Sequence, residues 1–253
     1  MATRRTATKH LRAIQPELPF VRRGGARKGA GRKPKGERAG VPHRPRGTLA
    51  PRFPVHVTVR LRAGLPSLRR KGTVQELERC FAAGRERFGF RLVHYSIQSN
   101  HLHLLAEAEG RPSLARGMQG LLVRVARALN RRWGRRGGVF ADRYHDRVLR
   151  SPKQVRNALS YVLHNCRRHG IHLPGPDPCS SARWFDGWRP RPPLDDADAR
   201  TRGILARAGV GAVPAGARRT SVVAAARTWL LGVGWRRHGL LETPGPRSPA
   251  RAS

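Results

Sequence analysis

The sequence predicts an α+β fold in which an antiparallel sheet carries two helices on one face. Three observations point there. Short β-branched runs alternate apolar and polar residues at 55–61 and 90–97. Longer stretches at 73–88, 113–133 and 151–166 repeat their apolar residues at helical spacing. The order of these runs is β-α-β-β-α-β with one more helix after it.

Order is expected from Pro54 onward. Val55, Val57, Val59 and Leu61 alternate with His56, Thr58 and Arg60 and give a first strand. Thr73 is placed to cap a helix through Leu77, Cys80 and Phe81 to about residue 88. The second strand covers 90–97. Gln98-Ser99-Asn100 is a polar turn, and 101–108 a third strand that closes a hairpin. Ser113 is a second candidate cap, for a helix to Trp133 with Leu114, Met118, Leu121, Val125 and Leu129 on its apolar stripe. Residues 139–149 suit a fourth strand. Ser151-Pro152 then pairs an N-cap serine with a proline at the first helical position, for a helix to about Cys166. This is the ferredoxin-like βαββαβ order, with an additional C-terminal helix carrying Tyr161 and the second sheet face left open to ligand.

Three regions are expected: a disordered basic arm (1–50), the ordered domain (51–170) and a Pro/Arg-rich accessory region (171–253). The arm holds fourteen Lys or Arg against two Glu and lacks apolar periodicity, so it cannot offset its ordering entropy by burial. Its run Gly31-Arg32-Lys33-Pro34-Lys35-Gly36 partly matches a minor-groove hook; a basic tail gripping phosphates is the preferred reading. Farther on, Trp184, Phe185 and Trp188 suggest an aromatic latch, and residues 224–231 a short helix.

The formal charge of the 253-residue chain is +37. Such a charge repels itself and calls for a polyanion, of which nucleic acid is the obvious one. No long apolar stretch suggests a membrane partner. Three cysteines, Cys80, Cys166 and Cys179, form no CxxC pair and fit a reducing cytoplasm.

Chemistry concentrates in two places. His101 and His103 share one face of the third strand, where two imidazoles can converge on one cation. Two donors do not fix which metal. Of three tyrosines, Tyr95 is explained by core packing and Tyr144 is a candidate DNA contact. Tyr161 lies four residues from both Asn157 and Asn165, a polar row on one helix face. Taken alone, Tyr161 reads more readily as an amphipathic-helix residue with a hydrated hydroxyl. Trp133 reads equally as a base-stacking surface and as a helix-end anchor.

As a set the motifs are more specific. Asn100-His101-Leu102-His103-Leu104-Leu105 resembles the His-hydrophobic-His signature of single-tyrosine transposases. Phe140-Ala141-Asp142-Arg143-Tyr144-His145 and Ala158-Leu159-Ser160-Tyr161-Val162-Leu163-His164-Asn165 resemble the downstream blocks of the REP-associated tyrosine transposases. The resemblance implies a ferredoxin-like domain that recognises single-stranded or hairpin DNA, as a monomer or a homodimer. It implies Mg²⁺ or Mn²⁺ on His101 and His103 with Asn165 as third ligand. It implies Tyr161 as the nucleophile, leaving a 5′-phosphotyrosine and a free 3′-hydroxyl. Backbone phosphates would be held by Arg124, Arg127, Arg131, Arg143, Arg147, Arg167 and Arg168, and unpaired bases would stack on Tyr144. Two other classes compete. One is a non-catalytic binder of hairpin DNA or RNA. The other is a structural zinc protein using His101, His103 and a cysteine.

Overall fold

The computed structural model describes residues 46–168, 175–190 and 221–243, all within the unit that spans 41–253. The hook-like run at 31–36 and most of the basic arm lie outside the described residues.

Five strands form one sheet: β1 (Val55–Arg60), β2 (Glu86–Arg87), β3 (Phe90–Ile97), β4 (His101–Ala108) and β5 (His145–Val148). Their spatial order is β2-β3-β4-β1-β5, and every pairing is antiparallel. Without the two-residue β2, this is the ferredoxin-like arrangement, with β1 central between β4 and β5. The helices α1 (Lys71–Gly84) and α2 (Arg111–Arg132) follow β1 and β4 respectively and pack together on one face. Phe88 and Gly89 join β2 to β3, both at positive φ (56° and 71°), the backbone twist that suits a two-residue hairpin.

The first core lies between the sheet and these helices. Val57, Val59, Leu102 and Leu104 meet Leu77, Phe81, Leu114, Met118 and Val125 there. Tyr95 belongs to it as expected, its ring tilted against Phe81 at 4.8 Å and its hydroxyl donating to Glu78 at 2.7 Å. Gly117 allows α2 to press directly on Phe90, since a methyl group at that position would overlap the ring.

Several local expectations are corrected. Thr73 and Ser113 cap nothing: both are buried inside helices that start two residues before them. Extended residues Arg70 and Gly110 precede the first turns, and Pro112 is tolerated because early helical N–H groups have no partner to lose. The fourth strand is shorter than 139–149. Phe140 makes only an isolated bridge to Leu61, and regular pairing starts at His145. The cap at Ser151 is as predicted, its hydroxyl accepting from the Gln154 N–H.

Order also starts earlier than Pro54. Arg46 pairs with Asp146 at 2.9 Å, and Leu49 is buried in the first core. The second face is not simply open. Helix α3 (Pro152–Leu163) covers it over β3 and β4 through Val155, Leu159 and Val162, together with Val93 and Leu105. The late chain completes this second core. A single turn, α5 (Trp229–Gly232), is capped by Thr228, and Trp235 is buried 5.4 Å from Phe185. Glu107, buried on β4, accepts from the N–H groups of Arg227 and Thr228, both at 2.9 Å. The aromatic latch is therefore present, but residues 222–241 are part of the domain and not an accessory to it. Among the described residues no helix is long and apolar enough to cross a membrane.

Candidate active site

The antiparallel register brings two polar pairs and a third histidine to one patch of the second face. Arg60 lies opposite His101, Thr58 opposite His103, and His56 opposite Leu105. On the other side of β1, His145 lies opposite Thr58 and Arg147 opposite His56. Period-two alternation sends all of these away from the first core.

His103 is the centre of the patch and is 4% exposed. Its Nδ1 lies 3.3 Å from His56 Nε2 and 3.2 Å from Thr58 Oγ1. Its Nε2 lies 3.5 Å from the Tyr161 hydroxyl, the outer limit of a hydrogen bond. The Tyr161 ring stands edge-on to His103 at 5.0 Å and to His56 at 5.7 Å. His101 stands edge-on to His103 at 4.7 Å, with its Nδ1 2.8 Å from Asn100 Oδ1. The structure thus joins Tyr161 to the paired imidazoles from 58 residues away.

Tyr161 owes this position to α3, whose apolar side docks on the sheet. The late chain fixes the same helix from the other side. Arg156 donates to the carbonyls of Gly239 (2.9 Å) and Leu240 (3.3 Å), and His164 Nε2 lies 2.9 Å from the Glu242 carbonyl. A cleft of about 790 Å³ runs along α3, lined by His56, Arg147, Arg156, Asn157, Ser160 and Tyr161. Its lining sets two guanidinium groups, two amides and two hydroxyls against the single carboxylate of Glu242, a balance that favours an anionic strand.

His56 is the residue sequence reasoning missed. Burial, with the positive charge of Arg147 as a second cause, lowers its pKa to about 4. It is therefore neutral at neutral pH and keeps a ring nitrogen able to accept a proton. A signal did exist, since His56 interrupts a run of valines on the same parity as Thr58. What it touches depends on register with a strand 45 residues on.

The other predicted site residues fare unevenly. Asn165 does not continue the row Asn157–Tyr161. Helix α3 ends at Leu163, the chain turns at His164, and Asn165 opens a separate turn, α4 (Asn165–Arg168). Asn165 is 1% exposed, and neither amide atom has a hydrogen-bond partner among the described residues. Arg147 lines the cleft as expected. Arg143 is exposed on the loop before β5 and does not line it. Tyr144 offers no stacking surface: it is buried in the first core, with Arg46 3.9 Å over its ring, and burial raises its phenol pKa. Arg124, Arg127 and Arg131 lie on α2, across the sheet from Tyr161. Arg124 is partly buried, and Arg131 lies 3.8 Å from Glu76. Arg167 and Arg168 belong to α4, but their side chains lie outside the described residues. Trp133 packs against the first core, which makes it a helix-end anchor.

The donor chemistry fits a divalent cation with open positions. His101 and His103 supply two imidazoles on one strand, whereas Asn165 lies beyond the break at His164, its buried carboxamide without a hydrogen-bond partner among the described residues, and is a third donor only by the motif resemblance. Nitrogen donors suit Mn²⁺ better than Mg²⁺. Among the described residues no three His, Cys, Asp or Glu side chains converge on a metal-sized site. Cys80 sits between α1 and α2, its thiol facing the Arg124 carbonyl, remote from the histidines. The structural-zinc reading therefore has no ligand set among these residues.

No protein-family model matches the chain, and no curated protein matches it. The chain does resemble a REP-associated tyrosine transposase. That solved structure, of the transposase bound to a REP hairpin, is 16% identical, with a TM-score of 0.47 over 57% of this chain and 84% of the other.

Proposed function

We propose that the protein is a single-stranded DNA endonuclease and transposase that cuts and rejoins DNA beside hairpin repeats, with Tyr161 as nucleophile. One observation carries the reading: the Tyr161 hydroxyl lies 3.5 Å from His103 Nε2, at the head of a cationic cleft. The sequence blocks around His101, Tyr144 and Tyr161 support the same assignment. The charge of +37 supports a nucleic-acid partner.

In this mechanism the cleft holds the single strand, with Arg147 and Arg156 neutralising phosphates. Tyr161 is oriented by α3 and by the edge-on imidazoles. Its phenolic oxygen attacks the scissile phosphorus while the bond to the 3′-oxygen breaks. The products are a 5′-phosphotyrosine and a 3′-hydroxyl, and attack by a 3′-hydroxyl reverses the step. A phenol is a weak nucleophile at neutral pH, and covalent capture conserves the phosphodiester for strand transfer. Mg²⁺ or Mn²⁺ would be held by His101 and His103 with Asn165. It would supply Lewis-acid polarisation of the phosphate. The expected setting is the cytoplasm, whose reducing conditions suit a chain with three sparse cysteines and no CxxC pair.

The test is a 3′-labelled hairpin oligonucleotide with single-stranded flanks, incubated with the protein and Mn²⁺. A covalent protein–DNA band is expected for the wild type and at least a thousandfold less, on the order of one lost nucleophile, for Tyr161→Phe. Tight binding without any adduct across the hairpins flanking its own gene would favour a non-catalytic hairpin DNA or RNA binder.

A further inference from the structure

His103 Nδ1 faces two groups that each carry a lone pair: His56 Nε2 at 3.3 Å and Thr58 Oγ1 at 3.2 Å. His103 Nε2 faces a phenol, which donates a proton more readily than it accepts one. In neutral imidazole one nitrogen carries the proton, and the neighbours of the other decide which. Thr58 Oγ1 and neutral His56 Nε2 can each accept, and the phenol, the better donor, tips the balance toward a proton on Nδ1. Neither His56 nor Thr58 belongs to a motif that carries the family resemblance.

We infer that His56 and Thr58 are positioning residues that hold His103 as its Nδ1–H tautomer, turning the Nε2 lone pair toward Tyr161. The sheet makes this arrangement stiff. Thr58 is the direct cross-strand partner of His103, and His56 sits two residues along the same strand, so β1 presents both contacts from one rigid element. Sheet-borne partners of this kind fix ring orientation more closely than loop-borne ones. The outer hydrogen bond on a ligating histidine also sets its basicity. The consequence for metal rests on the function proposed above; the tautomer does not.

Two measurements separate the two. On the metal-free full chain labelled with ¹⁵N-histidine, long-range ¹H–¹⁵N correlation reads the His103 tautomer directly. The wild type is expected as Nδ1–H, and His56→Phe/Thr58→Val as predominantly Nε2–H. A wild-type ring protonated at Nε2, or a folded double variant that keeps Nδ1–H, would overturn the inference. Mn²⁺ affinity by titration calorimetry is the second readout. His56→Phe is expected to weaken it about tenfold, within the range seen when an outer-shell partner is removed. His56→Gln, whose amide can still accept, should stay within about threefold. Equal affinity in wild type and folded His56→Phe would refute the consequence for metal, whereas a wild type that binds no Mn²⁺ yet shows the Nδ1–H tautomer would refute only the function proposed above.

Discussion

Against α1 and α2, strands β1 and β4 present Val57, Val59, Leu102 and Leu104, none of them exposed; on their other side the same strands present His56, Thr58, His101 and His103. Both sets are produced by one period-two alternation. The apolar set excludes water and stabilises the sheet. The polar set sits on the stiffness that results and holds His56, Thr58 and His101 within hydrogen-bonding or ring-contact distance of His103. Even the second face divides. Over β3 and β4 it is covered by α3, Phe185 and Trp235, and toward β1 and β5 it opens into the cleft. A site embedded in a sheet is kept in geometry by residues on the opposite side that never meet the substrate.

The strongest way to break this division is to exchange the costs of the two faces. Phe81 is wholly buried on the first face, and Phe81→Ala should lower unfolding free energy by about 3–5 kcal/mol. His103→Ala removes a buried polar ring and its contacts to His56 and Thr58 and should cost about 1–2 kcal/mol, less than Phe81→Ala, while abolishing the covalent adduct. Urea denaturation monitored by tryptophan fluorescence gives both numbers. Comparable destabilisation by the two substitutions would mean that the histidine patch is structural.

The covered half of the second face can be sharpened with pH. His94 is buried against Phe185 (5.5 Å, edge-on), its Nδ1 3.2 Å from Ser181 Oγ. Burial lowers its pKa to about 4, with the Asp186 carboxylate pulling weakly the other way. The folded state thus binds fewer protons than the unfolded chain between about pH 6.5 and 4. The associated stability is complete above 6.5 and is lost as pH falls through that window, by on the order of 3 kcal/mol. His94→Gln should remove its share, about half, of the slope in this window, since buried His56 is lowered to about 4 as well. An unchanged pH profile in the variant would place the acid sensitivity elsewhere.

Much of this fold was legible because alternation and capping are local. The bounds of β3 and β4 and the Ser151 cap follow from a few adjacent residues. Thr73 and Ser113 misled because a good capping residue also fits inside a helix when tertiary packing buries it. At the site, the union of Tyr161 with His103 was legible only through the motif resemblance, since sequence spacing alone does not say that α3 crosses β4. The role of His56 was not legible, because it depends on the β1–β4 register. The break at His164, which detaches Asn165 from the helical row, has no glycine or proline to announce it; there the chain exchanges helix continuation for contact with the late segment at Glu242. Residues 222–241 are largely apolar but stand within a Pro/Arg-rich region, and it is their burial against the two cores that makes them part of the domain.

The finest division between the faces concerns charge, and here the expected effects are smallest. Arg147 lies on β5 opposite His56 and lines the cleft. Arg127 is exposed on α2, on the other side of the sheet. Both were candidates to hold DNA, and both carry the same charge, so a nonspecific attraction of the whole molecule for DNA would weight them alike. A strand confined to the cleft would not. If the single strand runs beside Tyr161, Arg147→Ala should weaken hairpin-flank binding by about three- to tenfold and reduce the salt dependence of affinity by roughly one phosphate contact. Arg127→Ala should change either quantity by less than about twofold. Fluorescence anisotropy with the same oligonucleotide over a salt series measures both. Equal losses would place DNA across α2 as well, and the surface that grips the duplex would then lie on the face opposite the one that cuts.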